Sequence, residues 1–282
     1  MKVIGIGDNV VDKYMDKNEM YPGGNALNFG VYSKQLGIDS AYLGVFGNDE
    51  ASEHIRETLM DLDIDISHCR QHEGENGYAL VNLVNGDRVF VGGNQGGVQK
   101  DFPIHLGSMD LEYIKEFQIA HSSIYSGIEK ELKKLKDTGI LVSFDFSDEF
   151  KEQYLKEICP NIDFSLLSCG GLSENEVRNL LKRVHSYGSS FAIGTMGELG
   201  SIVYDGESFY NQKPHFVEPV DTLGAGDSFF TAFIIHYLKE IEIEIVPVAE
   251  KGPIIKRSLD EAAKFAAKTC LVEGAFGYGV PF

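Results

Sequence analysis

Asp221-Thr222-Leu223-Gly224-Ala225-Gly226-Asp227, followed at once by Ser228-Phe229-Phe230-Thr231-Ala232-Phe233, is the stretch around which the chain is organised. Small residues end where an apolar run begins, and that run reads as a helix. Gly224, Ala225 and Gly226 carry almost no side chain, so their backbone N–H groups are expected to point at a ligand. The helix N-terminus adds partial positive charge at the same place. The product is an anion hole, suited to the charge that develops when a phosphoryl group moves. Asp227 is either a capping residue, for which Asp is favoured, or a reactive carboxylate aimed at whatever approaches. Small residues and two carboxylates at this spacing are more than a cap requires.

A second glycine-rich stretch lies near the other end of the chain: Pro22-Gly23-Gly24-Asn25-Ala26-Leu27-Asn28-Phe29. Two glycines before a helix allow a ligand to approach the backbone closely. Asn25 and Asn28, three apart, share one face of the first turn. Asn25 also suits an N-cap, whereas Asn28, inside an otherwise apolar helix, needs a partner. Upstream, Lys2 to Ile6 reads as a strand that ends in Gly7-Asp8-Asn9, with Asp12 following. Ligands of open α/β sheets bind beyond the carboxyl ends of strands, where Asp8 and Asp12 are expected; both also suit turns.

These two stretches resemble the signatures of the ribokinase-like (PfkB) carbohydrate kinases. The resemblance implies an ATP-dependent kinase, with Asp227 as the catalytic base and Gly224, Ala225 and Gly226 as the anion hole. It makes Asp12, Gly24 and Asn28 sugar contacts, with Asp8 and Asn25 as further candidates. Thr195-Met196-Gly197-Glu198-Leu199-Gly200, by itself a glycine turn between strands, is similar to the family's Thr-x-Gly-x-x-Gly segment. Thr195, Gly197 and Gly200 are therefore assigned to ATP, with Gly226 and, where the family closes its adenine pocket, Gly274. Neither a P-loop nor a protein-kinase motif set is present.

The chain of 282 residues is 43% hydrophobic and 24% charged, as expected of a globular protein. Its formal net charge of −18 repels nucleic acid and anionic membrane surfaces. No stretch approaches the length of a membrane-spanning helix, and the start lacks a signal-peptide pattern. Cys69, Cys159, Cys169 and Cys270 are scattered, which suits a reduced cytoplasmic setting.

Strand-like runs alternate with helical ones from Gln118 onward, which predicts a mainly parallel sheet covered on both faces. Helices are expected at about 110–117, 129–138, 150–157, 173–187, 225–239 and 258–272. Asn85-Gly86-Asp87 joins two β-rich runs, a strong hairpin signal that interrupts the alternation. The fold class is thus α/β, and the resemblance specifies a ribokinase-like three-layer sandwich with a small β-lid. We read residues 1–282 as one kinase domain, with lid segments at about 12–22 and 76–95. The loop of residues 92–97 is either a hinge or a flexible loop. Asp145, ending a strand, either contacts substrate or helps cap the helix expected from Phe150. Residues 241–257, with alternating isoleucines and Pro247 and Pro253, read as an inserted edge strand or an interaction surface.

One departure from the family concerns the metal. The family's Asn-x-x-Glu segment organises magnesium and phosphate. Here Ser168 stands where the Asn is expected and Gly171 where the Glu is, with Glu174 and Glu176 as substitutes acting through water. Mg2+ remains the implied metal, its protein ligands unassigned; a monovalent cation beside the 221–227 loop, present in some relatives, is a further candidate. Within the family, Ile-Gly-Asp-Asn-Val-Val-Asp (6–12), Asp-Arg-Val-Phe (87–90) and Phe-Asp-Phe-Ser-Asp (144–148) resemble members that phosphorylate fructosamines such as fructoselysine at O6. Carboxylates at Asp8, Asp12 and Asp145 suit the cationic amine of such a sugar. Arg88 either meets the carboxylate of its amino-acid arm or is a solvated hairpin residue. The alternatives are a fructokinase or another sugar or nucleoside kinase, and a sugar-binding regulator without catalysis. Relatives that pair through the lid edge make a homodimer a further expectation.

Overall fold

Short β-rich runs that alternate with amphipathic segments can bury both faces of a sheet only if helices cover each side. A computed structural model of the protein has this arrangement. It describes residues 1–84, 87–243 and 251–282, with the side chains of residues 83, 84, 87, 88, 242 and 243 outside the description. Numbered along the chain, the first strands are β1 (Lys2–Ile6), β2 (Val10–Tyr14), β3 (Glu19–Gly23), β4 (Asp39–Leu43), β5 (Val45–Phe46), β6 (Arg70–Gln71), β7 (Tyr78–Val84) and β8 (Asp87–Gly93). They are followed by β9 (Ile119–Ser123), β10 (Leu141–Asp145), β11 (Phe164–Ser168), β12 (Phe191–Thr195), β13 (Ser201–Tyr204), β14 (Phe209–Gln212) and β15 (Val280–Pro281). The helices are α1 (Asn25–Gln35), α2 (Glu50–Asp61), α3 (Val98–Asp101), α4 (Ser108–Ile114), α5 (Leu132–Asp137), α6 (Glu152–Ile158), α7 (Glu174–Ser186), α8 (Ala225–Ile243) and α9 (Lys251–Thr269).

The main sheet has eight strands in the order β14-β13-β12-β11-β10-β9-β1-β4. It is parallel from β12 through β4, while β13 and β14 pair antiparallel. Neighbouring residues of a strand face opposite layers. Val3 packs with Phe29 of α1 and Phe230 and Phe233 of α8. Ile4 packs in a second core with Leu132 of α5 and Leu181 of α7. The result is a three-layer sandwich, the expected fold class. A second, smaller sheet runs β15-β3-β2-β7-β8. Its strands lie within the expected 12–22 and 76–95 segments, except that β2 begins earlier at Val10 and the C-terminal β15 adds a strand the sequence did not announce.

Of the two readings of residues 241–257, the edge strand is corrected for the described residues, which are helical. Ile241 lies in α8 and packs against the core formed with α9, so its burial in a helix wins over the alternating pattern. Residues 251–257 belong to α9, which starts two turns before the expected boundary. Pro253 falls in the first turn, where a missing N–H costs nothing. Residues 244–250 lie outside the described residues, as does the Asn85-Gly86 turn. The remaining helices agree with expectation to within a few residues, and the short α3 follows the loop of residues 92–97.

The two ends of the site meet at the carboxyl edge of the main sheet, and Asp8 fixes that junction. Asp8 is 6% exposed. Its Oδ2 accepts the Asn25 N–H at 2.6 Å, and its Oδ1 accepts the hydroxyls of Ser123 and Ser126 at 2.8 and 2.7 Å and, at 3.4 Å, the Ala26 N–H. The carboxylate caps α1 from a distance, because Gly24 at the N-cap has no side chain to do so. Replacing Asp8 with Ala strands these donors in a dry setting. Urea denaturation of Asp8→Ala is expected to show a loss on the order of 3 kcal/mol; a loss below about 0.5 kcal/mol, the range of an ordinary surface change, would show that the junction does not depend on it.

Candidate active site

Four short pieces of chain converge on one edge of the main sheet: the start of α1, the end of β10, the loop before α8 and the residues after α9. The first turn of α1 presents Asn25 and Asn28. The Asn25 amide donates to Asp145 Oδ2 at 2.7 Å, and the Asn28 amide donates to Asp227 Oδ2 at 2.7 Å. Two amides a turn apart thus each hold one carboxylate. Asn28 is 4% exposed, and its Oδ1 meets no hydrogen-bond donor among the described residues. A buried acceptor without a donor is costly, and this one lies beside the amide that holds Asp227.

Asp145 is buried at the end of β10, where its Oδ1 accepts the Ser147 N–H at 2.7 Å. No side chain caps α6, whose N-cap is Lys151, and Asn25 holds the Asp145 carboxyl at the start of α1 instead. Burial first, and then the negative charge of Asp227, push it up to about 8. Two neighbouring carboxyls in a dry place cannot both ionise at little cost, and Asp145 is the one that keeps its proton.

The loop before α8 is set by Asp221, 2% exposed. Its Oδ1 accepts the Leu223 N–H at 2.9 Å; its Oδ2 accepts the Tyr14 hydroxyl at 2.5 Å and the Gly274 N–H at 3.1 Å. Gly224 then turns with φ 73°, and a methyl group there would lie 2.1 Å from the Tyr32 hydroxyl, so only glycine fits. The Tyr32 hydroxyl donates in turn to the Ala275 carbonyl at 2.6 Å. The N–H groups of Gly224 and Gly226 donate to no described acceptor, as an anion hole requires. Ala225 differs from expectation, since its N–H turns back to the Thr222 carbonyl at 3.3 Å. A methyl group on Gly226 would meet nothing within 4 Å, so open space lies before it.

The other expected residues divide in two groups. Asp12 is buried on β2 beside Gly23, near the start of α1, and Gly24 is the N-cap of that helix. Thr195 ends β12 and Gly197 opens the tight turn after it, again with open space where a side chain would be. Asp8, Gly200 and Gly274 also serve the fold. Asp8 caps α1. Gly200 packs against the chain of β14, where a methyl group would lie 2.0 Å from the Gln212 carbonyl oxygen. Gly274 is buried and gives its N–H to Asp221. Arg88 lies on β8, but its side chain is outside the described residues.

No group of three or more metal-ligating side chains occurs among the described residues. Ser168 and Gly171 are exposed. The substitutes considered for the missing Glu are occupied: Glu174 pairs with Arg178 at 2.7 Å, and Glu176 closes a capping box with Ser173. Tyr14 and Tyr32 escaped the sequence reading, although signals existed. Tyr14 alternates with Asp12 along β2, and Tyr32 lies one turn beyond Asn28 on α1.

Comparison with known proteins agrees with this geometry. A family model described as "pfkB family carbohydrate kinase" matches residues 1–275. The chain is 40% identical over 284 aligned residues to the fructosamine kinase FrlD of Bacillus subtilis (strain 168), covering 100% of this chain and 95% of that one. It is 32% identical over 271 residues to the fructoselysine 6-kinase of Escherichia coli (strain K12), covering 96% and 98%. Among solved structures, ribokinase from Giardia lamblia superposes with a TM-score of 0.81 at 15% identity, covering 98% of this chain and 95% of that one. Fructokinase from Vibrio cholerae O395, in a form bound to fructose, ADP and calcium ion, superposes with a TM-score of 0.75 at 22% identity, covering 98% and 95%.

The raised Asp145 carboxyl sets a pH signature. Its folded pKa exceeds the unfolded value of roughly 4, so the stability it contributes is fully present below that value and is lost as pH rises through about 8. Asp145→Asn removes this dependence. The melting temperature of the variant relative to the natural protein is expected to climb between pH 4 and 8 and level off above. A difference that stays flat over this window would show that Asp145 is ionised in the folded state.

Proposed function

The chain belongs to the pfkB family of carbohydrate kinases, and from that membership we propose that it transfers the γ-phosphoryl group of ATP to O6 of a fructosamine such as fructoselysine. It is an ATP-dependent carbohydrate kinase; the identity of the sugar and the roles of individual residues are our reading. The observation that carries the catalytic reading is the Asn28–Asp227 pair at the mouth of α8. Asn28 aligns the Asp227 carboxylate and keeps an unsatisfied acceptor for a sugar hydroxyl. Asp227 takes the proton as O6 forms its bond to phosphorus and the bond to the β,γ-bridging oxygen breaks, with ADP leaving. The N–H groups of Gly224 and Gly226 stabilise the charge on the transferring group.

Support for the sugar comes from the whole-length similarity to a fructosamine kinase and a fructoselysine kinase. Asp145 adds a chemical reason, since a carboxyl held protonated in the empty site can ionise against a substrate that brings its own cation. Asp12, Gly24 and Asn25 complete the sugar pocket in this reading, and Arg88 on β8 meets the amino-acid arm. Thr195 and Gly197 lie along the phosphates. Val220, Leu271 and Val272, apolar and exposed beside the Cys270 carbonyl that anchors the loop, offer a surface to adenine. The protein offers no cage for Mg2+ among its described residues; the ion would arrive on the nucleotide, where it screens phosphate charge.

Residues 1–282 act as one domain in this reading, with the five-stranded sheet as its lid. Val89, Phe90 and Val91 are exposed on β8, an edge strand of that sheet, which suits pairing with a second copy of the chain.

ADP release measured against fructoselysine, fructose, ribose and a nucleoside tests the substrate. Selective turnover of fructoselysine is expected; a preference for fructose would move the assignment to a fructokinase. Asp227→Asn should lower kcat/KM by at least about 100-fold while ATP still binds. Gly226→Ala fills the open space with a methyl group and should raise KM for ATP about tenfold, the rate effect of roughly 1.4 kcal/mol, at an unchanged melting temperature. Full activity in Gly226→Ala would place the phosphates elsewhere.

A further inference from the structure

Tyr125 is a large aromatic side chain left in the open beside the site carboxyls. It is 59% exposed, although the chain around it is firmly held. It stands on the turn after β9, where its N–H donates to the Ser123 hydroxyl at 3.1 Å and its phenol donates to the Ser147 hydroxyl at 2.9 Å. The residues on either side are tied to the same edge. The Ile124 N–H donates to the Asp145 carbonyl at 2.9 Å, and the Ser126 hydroxyl donates to Asp8 at 2.7 Å. Ser147 turns through a left-handed φ of 52° and gives its N–H to Asp145 Oδ1 at 2.7 Å. The ring is thus fixed at both ends of its side chain while much of its surface stays open. A ligand that meets such a preorganised surface pays little for ordering it.

Shared partners set the ring's place relative to Asp227. Asn28 donates to Asp227; one turn back on α1, Asn25 donates its backbone N–H to Asp8 and its amide to Asp145. Tyr125 joins this pair through Ser126 and Ser147. One row of contacts therefore runs from Asp227 through Asn28, Asn25 and Asp145 to Ser147 and the ring. The charges at the far end of the row are all of one sign. Partial burial first, and then the charges of Asp145, Asp148 and Asp8, raise the Tyr125 phenol against the pull of the Ser147 hydroxyl, so it stays neutral near pH 7. Among the described residues, none of these three carboxyls pairs with a lysine, arginine or histidine, and no lysine or arginine lies over the ring. An aromatic face with such carboxyls beside it attracts an alkylammonium ion.

We propose that Tyr125 is a specificity-determining residue: its ring, with Asp145 and Asp148 beside it, receives the ammonium on C1 of a fructosamine and so selects that sugar over a ketose with a hydroxyl there. The proposal rests on the reading of Asp227 as the base at O6 of such a sugar. O6 and C1 stand at opposite ends of a ketohexose carbon chain, so with O6 at Asp227 the C1 substituent lies toward Asp145 and the ring. The ammonium is drawn to the negative face of the ring, and Asp145 releases its proton to solvent as the cation arrives. A C1 hydroxyl brings no charge and gains neither. The ring acts on the amine itself, whatever amino acid that amine carries.

The test compares 1-amino-1-deoxyfructose with fructose, which differ only in the ammonium or hydroxyl on C1. The Kd of each is measured by calorimetry at pH 7 with the natural protein, Tyr125→Leu and Tyr125→Phe. The natural protein should hold the aminosugar at least about tenfold more tightly, since ring and carboxyl both act on the charge. Tyr125→Leu keeps bulk and removes the ring; the ratio should fall about fivefold, which corresponds to roughly 1 kcal/mol. Tyr125→Phe keeps the aromatic face and loses only the bond to Ser147, so its ratio should stay within about twofold of the natural one. A purely structural role would weaken both sugars together and leave the ratio intact. Equal affinities in the natural protein, an unaltered ratio in Tyr125→Leu, or an equal fall in Tyr125→Phe overturns the proposal. If Tyr125→Leu does not fold, Tyr125→Met removes the ring and is read in the same way. ADP release from fructoselysine and fructose by the natural protein separates the two readings. Turnover of fructoselysine with an unaltered ratio in Tyr125→Leu strikes the role of Tyr125 alone, whereas turnover of fructose and not of fructoselysine strikes the substrate and this role with it.

Discussion

A carboxylate taken out of water must be met by donors or by a proton, and that constraint shapes the functional edge of this protein. Asp8, Asp145 and Asp221 are all buried there, with Asp227 partly buried beside them. Each is satisfied in a different way. Asp8 takes backbone N–H groups from the start of α1 and hydroxyls from Ser123 and Ser126. Asp221 takes a phenol and two backbone N–H groups from three separate segments. Asp145 receives an amide and one backbone N–H and keeps its proton to an unusually high pH. The folding of the edge is largely the arrangement of these donors.

The same accounting separates structural carboxylates from chemical ones. Asp8 is held on both oxygens, by three donors on Oδ1 and one on Oδ2. Asp227 sits by contrast at the first turn of α8, only partly buried. The Asn28 amide donates to it. Its charge in turn helps to raise the neighbouring Asp145.

Much of this was legible in the sequence, and what was not has a physical reason. The run from Asp221 to Asp227 reads as a phosphate loop because small residues allow N–H groups to face a ligand; in the structure Gly226 has open space before it, while Gly224 is closed in by Tyr32 and Ala275. Ala225 could not be separated from them, because the turn that uses its N–H depends on the carbonyl of Thr222. Asp8 looked like a ligand contact because its donors Ser123 and Ser126 are more than a hundred residues away. Local signals also misled at residues 241–257, where alternating isoleucines suggest a strand and Lys251-Gly252-Pro253 suggests a break. Burial against a neighbouring helix decided for helix, and a proline in a first turn breaks nothing. The antiparallel pairing of β7 with β8 was legible in the two β-rich runs, whereas β15 is too short to carry a period of its own. Asp145 remained ambiguous because its choice between capping and substrate depends on Asn25, which approaches from another helix.

The altered segment after β11 follows from the same rule. A glutamate at Gly171 would add a further carboxylate to an edge already crowded with them. Here the position carries no side chain, and the next two glutamates serve the first turn of α7, one through Arg178 and Asn211 and the other through Ser173. Mg2+ keeps several of its waters and binds readily to substrate phosphates, so a kinase of this kind can leave the metal to the nucleotide. In the function proposed, its own carboxyls are left for two tasks that the nucleotide cannot perform, accepting the hydroxyl proton and meeting the charge of the sugar.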